Sequence, residues 1–149
     1  MRLRIRDATS RDLAQVVEIE RLAFANPWTL NSFVRELALP FSRTLVAVMG
    51  NSPREVFAGY LCRWLVADEC HILNVAVHPT IRRKGVGARL MTDAIDEAKS
   101  KHAQLVTLEV RRSNLPARGL YRKLHFEERR LRRNYYGAGE DAIVMELQL

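Results

Sequence analysis

One run of eighteen residues, from His71 to Ala88, constrains the fold of this chain more than any other segment. It starts as the apolar, strand-like segment Leu73–Val77, bends at Pro79 and continues into a basic loop that holds Gly85 and Gly87. A helical pattern of apolar residues begins directly after the loop. Glycines let the backbone turn tightly so that consecutive N–H groups converge, and the start of a helix favours an anion at that point. The run therefore predicts a strand, a turn and a helix that together bind a pyrophosphate.

Two common kinds of phosphate loop do not fit these glycines. An NTPase loop needs Lys and Ser or Thr after its last glycine, whereas Ala88 and Arg89 follow Gly87 here. A dinucleotide-binding turn needs a third glycine at the position of Leu90. The pattern that fits is Arg-x-x-Gly-x-Gly, present from Arg82 to Gly87, and it resembles the acyl-CoA pyrophosphate loop of the GNAT superfamily of N-acetyltransferases. A basic helix start that merely stays solvated is the alternative.

The composition fits one domain spanning residues 1–149, because 48% hydrophobic residues supply an ordinary core. Met1–Arg6 alternates charged and apolar residues, and no run approaches the length of a membrane span. We therefore expect a cytoplasmic protein without a signal peptide or a membrane-spanning segment. Cys62 and Cys70 lie in apolar segments and are expected to be buried, reduced thiols, and no metal site is expected. The net charge of +7 suits the phosphates of coenzyme A or a nucleic acid.

The order of apolar patterns predicts an α/β fold, with a central mixed β-sheet flanked by helices on both faces. Thr9 or Ser10 is expected to cap a helix that carries Glu20 and Phe24, and Thr29 to cap a short helix through Leu37. Further helices are predicted at about 85–100 and 115–123. Strands are predicted at 2–6, 44–49, 56–66, 71–77, 104–110, 125–132 and 141–148, with turns at Gly50–Pro53 and Asp68-Glu69.

Acetyl transfer to an amine makes three chemical demands. The amine has to lose a proton, because an α-ammonium group with a pKa of about 7.7–8.0 is mostly charged at neutral pH. The thioester oxygen needs hydrogen-bond donors, and the departing thiolate needs a proton. Glu109, near the end of its strand, is a candidate proton acceptor, and Tyr121, on the next helix, is a candidate proton donor. Asn114 offers its amide to pantetheine or to the helix start, and the amides of residues 75–77 can pair with pantetheine as an added strand.

Purely structural interpretations of these side chains also exist. Glu109 can be an ion-pair partner of Arg111 or of a neighbouring strand. Tyr121 can be one more apolar contact on a helix that also carries Leu120 and Leu124.

The segment from Leu105 to Phe126 favours the catalytic interpretation, because it is similar to one branch of the GNAT superfamily. This branch is the RimI type, which acetylates the N-terminal alanine of small-subunit ribosomal protein number eighteen. The similarity extends to Phe24–Trp28 and to Arg132–Met145. It implies Glu109 as proton acceptor, Tyr121 as proton donor and direct attack of the amine on acetyl-CoA. It also implies acyl-CoA contacts at Val75, Ala76, Val77, Arg83, Lys84, Gly85, Val86, Gly87, Ala88 and Asn114.

Two positions depart from the pattern of this branch. His78 stands before Pro79 where the branch usually has Asp, and His125 stands before Phe126 where it usually has Gly. We expect the first change to be tolerated and the second to strain the helix exit if residue 125 requires a positive φ. His102 and His125 are expected to be surface or packing residues.

The substrate side leaves several roles open. Trp28 and Tyr136 either line a peptide groove or pack in the core. Glu69 is an auxiliary base, a contact for the ammonium group of the substrate or a turn residue, and His71 is a weaker candidate for a catalytic role. The arginines at 129, 130, 132 and 133 face either RNA or solvent, with solvent as the default.

Three functions are therefore compared. The first is acetylation of the N-terminal alanine of a protein, with a ribosomal protein as partner and no requirement for nucleic acid or membrane. The second is acetylation of other amines, such as lysine side chains, other N-termini or a small metabolite. The third is a basic module that binds coenzyme A or ribosomes without catalysis, and the presence of both Glu109 and Tyr121 argues against it.

Overall fold

A mixed sheet of seven strands, in the order β1-β2-β3-β4-β5-β7-β6, organises the fold. The computed structural model describes residues 2–51 and 53–149. Strands β4 and β5 pair in parallel, whereas β7 pairs antiparallel with both β5 and β6. The strands are β1 (Leu3–Asp7), β2 (Ser42–Met49), β3 (Val56–Val66), β4 (Glu69–Val77), β5 (Leu105–Arg111), β6 (Glu127–Gly137) and β7 (Glu140–Gln148). The helices are α1 (Leu13–Ala23), α2 (Leu30–Ala38), α3 (Val86–Ser100) and α4 (Leu115–Lys123), with short 3-10 helices at Ser10–Asp12 and Pro79–Ile81.

The predicted α/β class and element order are confirmed, although several strand and helix ends differ from the prediction. Thr9, rather than Ser10, stands at the first N-cap, and the chain passes through a 3-10 turn before α1. Glu69 belongs to β4 and not to a turn, because it pairs with Leu105 of β5. Strand β6 continues to Gly137 rather than ending near 132, and its side chains are nearly all exposed, so no apolar alternation marks its length. The turn predicted at Gly50–Pro53 includes residue 52, which lies outside the described residues.

The backbone forms two compact units, of which the first holds the described residues up to Trp64 together with Asn74–Ala94. Neighbouring residues of β3 point to opposite faces of the sheet there. The Tyr60 ring packs edge-on against Phe33 of α2, with centroids 5.6 Å apart. On the other face, a Cβ at Gly59 would lie 3.3 Å or less from the side chains of Val86 and Leu90 in α3. Helices therefore cover both faces of this part of the sheet, as predicted.

The second unit consists of Leu65–Leu73 and Ile95–Leu149. Its strand β5 buries Val106, Leu108 and Val110 on one face and leaves its alternate residues, Glu109 among them, half-buried on the other. This alternation positions Glu109 on a face with partial access to solvent.

The two cysteines are buried thiols that form no disulfide, as the sequence predicts. Burial raises the pKa of the Cys62 thiol to about 11, which makes it a poor nucleophile at neutral pH. In the part of the chain that the structure describes, no helix has both the length and the apolar character needed to cross a membrane.

Candidate active site

The predicted phosphate loop lies in the first unit and is anchored at its entrance by His78 and Ile81. The His78 backbone N–H donates to the Ala58 carbonyl of β3 at 2.7 Å, and Ile81 is buried. The imidazole Nδ1 of His78 accepts from the Thr80 N–H at 3.2 Å and so caps the short 3-10 helix. A carboxylate would fill the same capping role, which explains why His is tolerated at a position where the RimI pattern has Asp.

The turn itself uses Arg83 and Gly85, because these two residues have positive φ angles of 65° and 75°. Gly87 was expected to provide this freedom, and that expectation is wrong: it is the second residue of α3 and is absent from the described residues with positive φ. Helix α3 starts at Val86, and the Arg89 N–H donates to the Gly85 carbonyl at 3.0 Å. The amides of the first turn before Arg89 have no acceptor within the helix, as in any helix start.

Positive charge surrounds this helix start. Arg82, Arg83 and Lys84 are exposed, and none of them forms an ion pair with another described residue. A Cβ built on Gly85 would meet no atom within 4 Å, so the space above the turn is open. An open turn with free amides and three uncommitted cations fits a pyrophosphate group.

Strand β4 extends beyond its pairing with β5. That pairing covers Glu69 to Ile72, whereas β4 continues five residues further, to Val77. In this second part Val75 and Val77 are half-buried and Ala76 is buried. The Ala76 carbonyl lies so close to β3 that a Cβ at Gly59 would be 2.7 Å from it. Gly59 is thus a positioning residue that the sequence did not single out, although a lone glycine inside a strand marks such a close approach.

A buried carboxylate, Glu20 of α1, connects four segments of the first unit. Its side chain is 1% exposed and accepts hydrogen bonds from the Tyr60 hydroxyl, from Asn74 Nδ2 at 2.7 Å and from the Trp28 N–H at 2.9 Å. The Trp28 ring packs against Phe33, with centroids 5.2 Å apart. Trp28 is therefore held against the core from both its backbone and its ring. The position of Glu20 on the apolar stripe of α1 was the available signal for this role.

In the second unit, Glu109 of β5 meets His71 of β4. The distance between Glu109 Oε2 and His71 Nε2 is 2.8 Å. The Glu109 side chain is 13% exposed and that of His71 is 34% exposed. The hydrogen bond from His71 lowers the pKa of Glu109 below its ordinary value of 4.5, partial burial opposes this shift, and His71, Arg132 and Arg130 lower the pKa further through their charges. Of the two structural alternatives, the ion pair with Arg111 does not form, since Arg111 contacts Glu140, whereas pairing with a neighbouring strand does form, through His71 of β4.

Tyr121 of α4 is almost completely buried, and its ring centroid lies 5.9 Å from that of Phe126. Burial raises the pKa of its hydroxyl well above 10, with a further contribution from Tyr136, so the hydroxyl carries its proton at neutral pH. No described residue forms a hydrogen bond with this hydroxyl. In the described part of the chain, every buried side-chain oxygen has a hydrogen-bond partner, so an oxygen without one is not fully buried. The Tyr121 oxygen therefore reaches solvent and is free to donate its proton.

Both ends of α4 have defined caps. At the start, Asn114 Oδ1 accepts from the Ala117 N–H at 3.2 Å, so this part of the side chain serves the helix and not a ligand. At the end, His125 has a φ of 75°, and Phe126 N–H donates to the Tyr121 carbonyl at 3.0 Å. This is a left-handed helix end of the kind that glycine favours, as expected for a position where the RimI pattern has Gly. His102 ends α3 in the same way, with a φ of 62°.

The remaining candidates are surface residues or contact one another. The Arg111 Cζ atom lies 4.3 Å from the centroid of the Tyr136 ring. Burial raises the pKa of the Tyr136 hydroxyl to about 12. Glu69 is exposed at the start of β4. The four arginines at 129, 130, 132 and 133 are exposed on β6, the last strand of the sheet. In the described ranges 2–51 and 53–149, no group of three or more His, Cys, Asp or Glu is arranged to hold a metal ion.

Comparison with known proteins identifies the family of this chain. Residues 13–126 match the model of the acetyltransferase (GNAT) family. A putative ribosomal protein bS18-alanine N-acetyltransferase of Bacillus subtilis is 38% identical over 143 residues, which cover 95% of this chain and 92% of that protein. The corresponding enzyme of Escherichia coli K12 is 36% identical over 144 residues, covering 93% of this chain and 92% of its own.

A solved structure extends this similarity to the fold. The crystal structure of the ribosomal-protein-S18-alanine N-acetyltransferase from Escherichia coli superimposes with a TM-score of 0.87 at 32% identity. The match covers 99% of this chain and 94% of that one. The family match, the two relatives and the shared fold agree, and the chain belongs to the acetyltransferase (GNAT) family.

Proposed function

We propose that this acetyltransferase moves the acetyl group of acetyl-CoA directly to the α-amine of an N-terminal alanine, with a ribosomal protein as substrate. The observation that carries the chemistry is the Glu109 carboxylate, held ionised by His71 at 2.8 Å on a half-buried face of β5. The choice of substrate is supported by relatives at 36–38% identity that are named for alanine acetylation of ribosomal protein bS18.

Acetyl-CoA supplies the activated acetyl thioester. The residues proposed to hold its pyrophosphate are Arg83, Lys84, Gly85, Val86, Gly87 and Ala88, through the free amides of the helix start and the loop cations. Residues 75–77 are proposed to pair with pantetheine, which the end of the β4–β5 pairing at Ile72 supports. One of their N–H groups is available to polarise the thioester carbonyl. Asn114 retains only its Nδ2 for such a contact, because its Oδ1 caps α4.

The proposed mechanism proceeds by direct attack. The substrate amine gives its proton to the acceptor site built on Glu109, and the amine nitrogen then attacks the thioester carbon. The carbon–sulfur bond breaks, and the Tyr121 hydroxyl gives its proton to the departing thiolate. Burial keeps this hydroxyl protonated until that moment. No acetylated enzyme forms, so the route requires no nucleophilic side chain.

The remaining parts of the proposal concern the partner and the extent of the enzyme. Its partner is a protein N-terminus in the cytoplasm, where ribosomal proteins are made, and catalysis requires neither nucleic acid nor a membrane. Residues 1–149 act together as one catalytic domain. The net charge of +7 is compatible with a substrate that carries three phosphate groups.

The test measures acetyl-CoA consumption by the purified protein with a short peptide that begins Ala-Arg, and mass spectrometry locates the added acetyl group. The matched control is the same peptide with a blocked N-terminus and one internal lysine. Acetyl on the α-amine of the first peptide and none on the control supports the proposal. Acetyl on the lysine of the blocked peptide would contradict it and favour an enzyme for other amines. Binding of acetyl-CoA without any transfer would reject both substrates.

A further inference from the structure

The geometry around Glu109 points to a second residue in the proton-accepting step. We infer that His71 accepts the proton of the substrate amine at its Nδ1 atom, while Glu109 holds Nε2 and stabilises the imidazolium that forms. This inference rests on the proposed function and assigns His71 a catalytic role, with Glu109 as its positioning and charge-stabilising partner.

The tautomer follows from the contact itself. An ionised carboxylate only accepts hydrogen bonds, so at 2.8 Å the shared proton belongs to His71 Nε2. A neutral imidazole with a proton on Nε2 has its lone pair on Nδ1. No described residue forms a hydrogen bond with that Nδ1 atom, and the His71 side chain is 34% exposed. The lone pair is therefore accessible to an incoming amine.

The relative basicity of the two groups favours the imidazole. An α-ammonium group has a pKa of about 7.7–8.0, and an ordinary imidazole has one of about 6.5. The hydrogen bond from His71 lowers the pKa of Glu109, so this carboxylate is a weak acceptor for the ammonium proton. In many active sites a carboxylate orients a His, which accepts the proton, and stabilises the imidazolium that forms.

The protons and electrons balance over the whole step. The ammonium proton moves to His71 Nδ1, the amine lone pair forms the new carbon–nitrogen bond, and the carbon–sulfur bond breaks. The thiolate takes the Tyr121 proton, and the tetrahedral nitrogen releases its remaining excess proton to solvent. The imidazolium then loses its proton to water, and the tyrosinate regains one. Strand alternation and register place further charged groups on the face of His71 and Glu109: Glu69, Arg111, Glu127, Arg130, Arg132, Glu140 and Glu146. The Tyr136 ring lies against Arg111.

The first experiment compares His71→Ala and His71→Gln with the unaltered enzyme at saturating acetyl-CoA and Ala-Arg peptide. We expect kcat to fall by about a hundredfold in both variants, with an unchanged Kd for acetyl-CoA. Added imidazole should restore activity to His71→Ala, which leaves an open space, and not to His71→Gln, which fills it. The matched control is His102→Asn, because His102 is exposed, has a positive φ and lies outside the proposed chemistry. This variant should keep full activity.

Rescue by imidazole separates a catalytic base from a structural residue. A kcat within threefold of the unaltered enzyme would overturn the inference. A large loss in His71→Ala that no imidazole or methylimidazole restores, at any pH between 6 and 9, would overturn it as well.

A second readout does not depend on the substrate. The four histidine rings of the chain can be followed by NMR, and the signal missing in His71→Gln identifies His71. In Glu109→Gln the loss of the carboxylate acceptor should shift the ring signals of His71, while the signals of the other three histidines keep their positions. If the Ala-Arg peptide is not acetylated but this shift appears, the substrate assignment fails and the dyad stands. Unchanged ring signals of His71 in Glu109→Gln would overturn the dyad.

Discussion

Two carboxylates of this chain, Glu20 in the first unit and Glu109 in the second, illustrate what separates a structural acid from a chemical one. Glu20 is 1% exposed and is surrounded by three donors, from Tyr60, Asn74 and the Trp28 backbone. Glu109 is half-buried and has a hydrogen bond only to His71 among the described residues. The number of donors and the access to solvent differ, although both residues are glutamates on regular elements.

This difference has a physical consequence. A buried carboxylate whose two oxygens both accept hydrogen bonds stabilises the segments that donate to it and is closed to a ligand. A partly exposed carboxylate with one titratable partner can transmit its charge to that partner. Substitutions at the two carboxylates and at neighbouring residues test this contrast.

Glu109→Gln should lower kcat by about 10²- to 10³-fold, most strongly near neutral pH, because it removes the charge that supports proton transfer. The free energy of unfolding should change by less than about 1 kcal/mol, since the side chain is partly solvated. Steady-state kinetics, acetyl-CoA titration and urea unfolding measure the three quantities. A large loss of acetyl-CoA affinity would show that Glu109 is structural instead.

Glu20→Gln should have the opposite profile. The amide group turns one acceptor into a donor that faces other donors, so the free energy of unfolding should fall by about 2–3 kcal/mol. Urea unfolding beside Glu109→Gln provides the matched comparison. An unchanged midpoint for Glu20→Gln would mean that the three hydrogen bonds contribute no net stability, and the contrast between the two acids would fail.

Tyr121→Phe should lower kcat by about ten- to a hundredfold at saturating substrates, because the thiolate then leaves without its proton donor. Stability should be maintained, since the hydroxyl bonds to no described residue and reaches solvent. Single-turnover kinetics test the first point and thermal unfolding the second. Unchanged turnover would remove Tyr121 from the mechanism and leave it as a packing residue against Phe126.

The pH dependence of stability should reveal the Glu109–His71 pair directly. Because the pKa of Glu109 is lowered by His71 in the folded state, this carboxylate contributes stability above its ordinary pKa of 4.5. That contribution is lost as the pH falls through the lowered value. Urea unfolding from pH 6 to pH 3 should therefore show a smaller acid loss in His71→Gln than in the unaltered chain, by less than about 1 kcal/mol. Equal acid losses in the two proteins would contradict a pair that depends on charge.

His125→Gly should raise the free energy of unfolding by about 0.5–1 kcal/mol, because the residue has a φ of 75° that a side chain disfavours. His102→Gly, at the corresponding end of α3, should give a gain of similar size without any effect on kcat. A loss of stability in His125→Gly would mean that the imidazole contributes a contact that outweighs the backbone strain. Thermal unfolding and kcat measured on both variants complete the comparison.

Local patterns predicted many elements well. Strand β3 from Val56 to Val66 and helix α4 from Leu115 to Lys123 match their predicted bounds, because apolar periodicity and capping residues act over short distances. Strand β6 was predicted too short, since an exposed strand at the end of the sheet carries no apolar alternation. Gly87 was predicted to form the turn, but the pattern does not distinguish which residue of a basic loop adopts the left-handed conformation, and Arg83 does so.

Local sequence patterns could not predict the contact between His71 and Glu109. The parallel register places His71 opposite Thr107, so that Glu109, two residues further on, lies on the same face. A register difference of one residue would put Glu109 on the opposite face. Residues 38 positions apart in the chain therefore meet only because of how two strands align.

The sequence alone determined the class of fold, the basic glycine turn before α3, and the residues Glu109 and Tyr121 as the chemical candidates. These conclusions depend on backbone preferences and on spacing along the chain, which are short-range properties. The tertiary structure decided which carboxylate is sealed by donors and which one has a titratable partner. It also decided that Gly59 permits the close approach of β4 to β3 and that Asn114 caps α4. These outcomes depend on strand register and packing between distant segments, because burial and hydrogen-bond partners exist only once those segments meet.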